Sequence, residues 1–130
     1  MKPSNFQIDS IKFIVKYYPA LNPLCHQIPL LELIDIEHTG VGCCYSYRVN
    51  NNNPAFISSI KEDLILNDGF QVKADELPST AALTLRITNG KIDSLDILAH
   101  GSHFPKADPH NYIFEKVIVN YIDRTGKKEN

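Results

Sequence analysis

The chain has no tryptophan, one methionine and no apolar run approaching the roughly 20 residues a membrane-spanning helix needs, so no membrane partner is expected. Neither sign of charge predominates: thirteen Lys and Arg stand against fifteen Asp and Glu, a formal net charge of -2. With a pI near 6.2 there is no basic surplus to draw a polyanion, and nucleic acid is not expected as a partner. The first ten residues, MKPSNFQIDS, lack the charged-then-apolar layout of a secretory leader. Cysteine is scarce as well. Three in 130 residues, an odd number in a chain long enough for a real core, argue against a disulfide framework and for a reducing, cytoplasmic setting. The one glycine-spaced stretch, Thr39-Gly40-Val41-Gly42, lacks the basic residue and following helix of a phosphate-binding loop. No cofactor is expected. Without internal repeats or a dividing linker, residues 1–130 read as a single domain.

What is present is β patterning, centred on residues 80–104. Asn89-Gly90 is a strong hairpin signal, because both residues tolerate positive φ. Before it Ala81, Leu83, Leu85 and Ile87 alternate with Ala82, Thr84, Arg86 and Thr88; after it Leu95, Ile97 and Ala99 alternate with Ser94, Asp96 and Leu98. A loop of Asn89-Gly90 alone would set Leu83 against Asp96 and Leu85 against Ser94. A one-residue shift, with Gly90 in a bulged turn, puts Leu83, Leu85, Leu95 and Ile97 on one face and is the expected register.

Along the chain, Ser4-Asn5-Phe6-Gln7 has the form of a capping box, with Ser4 as N-cap and Gln7 reaching back. Ile8, Ile11, Ile14 or Val15, and Tyr18 then recur at helical spacing until Pro19, which predicts a helix over residues 5–18. Residues 20–29, with prolines at 23 and 29, read as an irregular connection. Residues 31–37 form an expected strand that is only partly periodic. Residues 41–49 alternate cleanly, with Cys43, Tyr45, Tyr47 and Val49 on one face. Asn50 to Pro54 is an expected loop. Residues 55–66 admit two readings: a helix capped by Asn53 with Pro54 in its first turn, or a strand at Leu64–Leu66 entering a turn at Asn67-Asp68-Gly69. Strands are expected over 70–74 and 112–122, and a polar frayed end over 124–130. The implied fold class is α+β: an N-terminal helix packed on a curved antiparallel sheet of about five or six strands.

Three groups of residues could carry chemistry. His100-Gly101-Ser102-His103, followed by Asp108 and His110, could supply metal ligands, but the spacing matches no strong motif and the segment carries Gly and Pro. Solvated loop histidines are the commoner outcome, and no metal is expected. Cys43 and Cys44 must point to opposite sides of a strand, so they cannot act together, and a small core cysteine is the ordinary account. Asp93 and Asp96 likewise point apart, with Arg86 a plausible cross-strand partner for one of them. The glycines at 40 and 42 suggest a bend or a closely approached backbone. Candidate binding residues are therefore His38, Gly40, Gly42, His100 and His103.

His38-Thr39-Gly40-Val41-Gly42, then Asn89-Gly90-Lys91-Ile92-Asp93-Ser94-Leu95-Asp96, then Gly101 and Phe104-Pro105, resemble a pattern in small uncharacterised bacterial α+β proteins. That pattern is a T-G-x-G strand, an (N/D)-G-x-I-D-x-L-(E/D) hairpin and a Gly-x-x-aromatic-Pro exit, spanning residues 36–105 here. The resemblance implies an α+β fold and no established activity. The functional expectation is a non-catalytic protein-interaction or immunity-like protein with one protein partner. The alternatives are a small metal-assisted hydrolase using the His100/His103 loop, and a small-ligand-binding module. The oligomeric state is open.

Overall fold

The computed structural model describes residues 1–49, 62–101 and 103–117. Helix α1 (Asn5–Val15) is followed by a 3-10 helical segment (Pro19–Leu30) and seven strands. These are β1 (Leu31–His38), β2 (Gly42–Val49), β3 (Leu64–Leu66), β4 (Phe70–Ala74), β5 (Ala81–Thr88), β6 (Lys91–Ala99) and β7 (Tyr112–Lys116). They form one antiparallel sheet in the order β1-β2-β6-β5-β4-β7, with β3 also paired to β5. The α+β class and the sheet of about six strand positions match expectation. Among the described residues no helix is long and apolar enough to cross a membrane. The expected helix start at Asn53-Pro54, the outer part of the last strand and the polar end lie outside the described residues.

The central hairpin obtains its faces by a different device from the one the sequence suggests. Thr88 pairs with Lys91, so the loop is Asn89-Gly90 alone, with φ of 52° and 74°. Positive φ at both positions is what a type I′ turn requires. The register then shifts between Arg86 and Ile87, leaving Asp93 as the extra residue on β6. The bulge therefore lies inside the strand and not at Gly90. Beyond it Leu85 pairs with Leu95 and Leu83 with Ile97, all buried on one face.

A second bulge explains why β1 is only partly periodic. The β1–β2 register shifts between Leu33 and Asp35, so Ile34 is the additional residue. Strands β3 and β4 both run antiparallel to β5 on the same side, Leu66 opposite Leu85 and Val72 opposite Ala81. Asn67-Asp68-Gly69 is thus an insertion in one interrupted strand and does not reverse the chain.

The helical layer covers one face. Ser4 Oγ accepts from the Gln7 N–H at 3.3 Å, as an N-cap should, but Gln7 does not reach back. Its buried side chain accepts instead from the Tyr47 hydroxyl at 2.8 Å. Phe6 and Phe13 stack on Phe114, and Phe13 meets Phe70 edge-on. Residues 19–30 prove regular: Leu21, Leu24 and Gln27 are buried at a spacing of three, the period of a 3-10 turn. Gln27, fully buried, donates to the Gly90 carbonyl at 2.7 Å and accepts from the Ile92 N–H at 2.9 Å. It ties the hairpin tip to the helical layer and satisfies two main-chain groups that burial would otherwise penalise.

Candidate functional site

The helical layer leaves the other face of β2, β6 and β5 open. Reading across the pairings, one row on that face is Glu37, Cys44, Asp96, Thr84, and the next is Gly42, Leu98, Ala82. Small side chains form the floor and Glu37, Thr39, Asp96 and Leu98 the rim of a shallow hollow of about 360 Å³. The hollow adjoins the β1–β2 turn, so the glycine-spaced stretch and the open face meet at one end of the sheet.

Each glycine there has its own structural reason. Gly40 has φ of +87°, with open space where a Cβ would stand. Gly42 lies on β2 against β6, where a Cβ would collide with the Ile97 carbonyl oxygen. One position needs the left-handed conformation and the other a close backbone approach. The turn is held by three main-chain bonds: Thr39 N–H to Gly42 O at 3.1 Å, Ala99 N–H to Val41 O at 2.8 Å, and Phe104 N–H to Gly40 O at 3.0 Å. Buried Phe104 anchors the third of these, which brings Gly40 and the segment carrying His103 together.

The remaining candidates separate. His38 ends β1 opposite Cys43 and is exposed. His100 lies past β6, its N–H donating to Thr80 O and its Nδ1 3.0 Å from Thr80 Oγ1. Asp108 accepts from the Tyr45 hydroxyl at 2.8 Å. Burial and this neighbouring carboxylate push the Tyr45 phenol up. His110 sits 3.1 Å from Glu76, whose carboxyl it holds below the usual range. No group of three His, Cys, Asp or Glu among the described residues is placed to hold a metal ion.

The cysteines divide as strand alternation requires: Cys43 is buried in the core and Cys44 is half-buried on the open face. Burial raises the Cys43 thiol. Cys44 is pushed up to about 12 by burial and by Asp96 beside it, which also bonds Arg86 Nε at 2.9 Å. A thiol held neutral is a poor nucleophile at ordinary pH. The shift from 9.0 to about 12 implies on the order of a thousandfold less thiolate at pH 8 than an unperturbed cysteine would carry. In the folded protein, ultraviolet thiolate absorbance assigned to Cys44 by difference from Cys44→Ser should stay absent until pH exceeds about 11. Because the folded value lies above the unfolded one, the stabilising contribution is complete below pH 9 and fades as pH rises toward 12. A Cys44 thiolate appearing near pH 8 would contradict this placement.

Sequence reasoning missed the hollow. Cys44 is far in sequence from Thr84 and Asp96, and the three become neighbours only through the register of three strands. The one available signal was the run of small polar residues on the non-core face of those strands. Comparison with protein-family models, with curated proteins and with solved structures returns no match to this chain.

Proposed function

We propose that this chain is a non-catalytic interaction protein, immunity-like in the sense that it blocks or accompanies one protein partner. The contact surface in this reading is the end of the open sheet face around the β1–β2 turn. One observation carries it. Val41 and Leu98 keep 46% and 52% of their surface exposed, one on the turn and the other paired with Gly42. Single exposed apolar residues are ordinary, but two at the same end of the sheet face, with Glu37, Thr39 and Asp96 near them, have the composition of a docking patch. The neighbouring chemistry supports contact over catalysis, since the Cys44 thiol is held neutral and Asp96 is engaged by Arg86. Its three cysteines, all free thiols, favour a cytoplasmic meeting place.

The test is co-expression with the product of each adjacent gene, followed by size-exclusion chromatography and affinity measurement. A stoichiometric complex with one of them is expected, weakened at least tenfold (about 1.4 kcal/mol) by Val41→Asp or Leu98→Glu with the fold intact. A complex indifferent to both substitutions would move the interface elsewhere. No complex with any neighbour would remove the reading.

A further inference from the structure

Strand β1 is one edge of the sheet. Among the described residues its outer side makes main-chain bonds only before the bulge, from Leu31 N–H to the Ile28 carbonyl and from Leu33 N–H to the Met1 carbonyl at 2.7 Å. Past the bulge at Ile34 the strand is regular again, with residues 35–38 paired to residues 46–43. Thr39 donates inward to Gly42. By the alternation of an antiparallel ladder, Glu37 and Asp35 also bond inward, while Ile36 and His38 turn their N–H and C=O groups outward. Residues 34–38 are all exposed.

The side chains of this edge are sorted by sign and polarity. Asp35 and Glu37 stand on the open face, in the rows of Ser46 and Cys44; Ile36 lies on the other face, in the row of Tyr45. Glu32 is neutralised by Arg48 at 2.6 Å, whereas Asp35 and Glu37 have no ion pair among the described residues. Two uncompensated carboxylates beside unpaired outward amides and carbonyls favour one kind of added strand and penalise another. Pairing with a second copy of β1 would bring the same carboxylates toward each other. A strand bearing cations on that face meets them with opposite charge.

Resting on the interaction reading, we propose that the outer edge of β1 at Ile36–His38 receives an extended segment of the protein partner in which basic and apolar residues alternate. The segment adds a strand to the sheet. Main-chain bonds to Ile36 and His38 supply the docking, its cations lie beside Asp35 and Glu37, and its apolar residues lie beside Ile36.

The probe is acetyl-Lys-Val-Lys-Val-Lys-amide, compared with its glutamate counterpart, titrated into nitrogen-15-labelled protein. The basic peptide should shift resonances of residues 33–39, slow amide exchange at Ile36 and His38 about tenfold or more at saturation, and bind less tightly as salt is raised. Asp35→Lys with Glu37→Lys should abolish the effect. Ile36→Pro should do so while sparing the inward ladder, because the lost N–H faces outward. Equal binding of the acidic peptide, or unchanged exchange at Ile36 and His38, would overturn the proposal. So would protection of β1 that grows with protein concentration in the absence of peptide, which would identify a second copy as the occupant. In the co-expression assay, a complex lost in Val41→Asp but unaffected by Ile36→Pro would refute the edge and leave the interaction reading standing.

Discussion

Replacing Leu85 by alanine is expected to cost roughly 2–5 kcal/mol, the range for emptying a leucine site in a packed core. Leu85 is fully buried and sits mid-row in the sheet, with Leu66 of β3 on one side and Leu95 and then Tyr45 on the other. Its neighbours are fixed by main-chain ladders on both flanks, so little relaxation into the void is possible, which favours the upper half of that range. Urea unfolding should show the midpoint falling with the slope unchanged, as for a change in stability alone. The neighbouring Thr84→Ala, on the open face, provides the contrast and should stay within about 0.5 kcal/mol. The opposite ordering would mean that the two faces of β5 are interchanged.

The residues involved in that comparison show what the sequence conveys and what it hides. The period of two assigns Leu83, Leu85, Leu95 and Ile97 to one face correctly, because a misplaced face would expose four large apolar side chains. It cannot say where the compensating extra residue sits, since a bulge at Gly90 and one at Asp93 give the same faces. The bulge at Ile34 is hidden for a related reason: one extra residue breaks alternation and reads as weak strand propensity. Prolines at 19, 23 and 29 conceal the 3-10 segment by suggesting irregular chain, although Leu21, Leu24 and Gln27 carry its period of three. Gln7 illustrates competition between partners. A capping bond to the backbone was available locally, and a tyrosine 40 residues away took the side chain instead. At the candidate site, Gly40 and Gly42 are legible because few other residues could occupy those positions. The convergence of Glu37, Cys44, Asp96 and Thr84 is a property of three pairings together and has no local signature. The histidines were the reverse case, close in sequence but taken up by different partners, such as Thr80 for His100 and Glu76 for His110.

The two glycines of the β1–β2 turn yield the other large effect, and they should separate sharply. At Gly42 an added methyl would meet main chain, the Ile97 carbonyl oxygen, which no rotamer change can move aside. Gly42 pairs with Leu98 in the ladder joining β2 to β6, so relief requires those strands to part at the rim of the hollow. Overpacking of this kind costs about 3 kcal/mol for Gly42→Ala. At Gly40 nothing lies within 4 Å of the would-be Cβ, and the penalty comes only from holding an L-residue at φ of +87°. That strain is about 1 kcal/mol for Gly40→Ala, since the positive-φ region disfavours a Cβ without forbidding it. Chemical denaturation of both variants gives the order directly. Amide exchange should add that Gly42→Ala exposes the Ala99 N–H, whose acceptor Val41 O is next in the chain, while Gly40→Ala leaves it protected. Equal losses would mean that the close approach of β2 to β6 is relieved at no cost. A larger loss at Gly40 would make the turn's handedness, and not the strand contact, the element on which this end of the sheet depends.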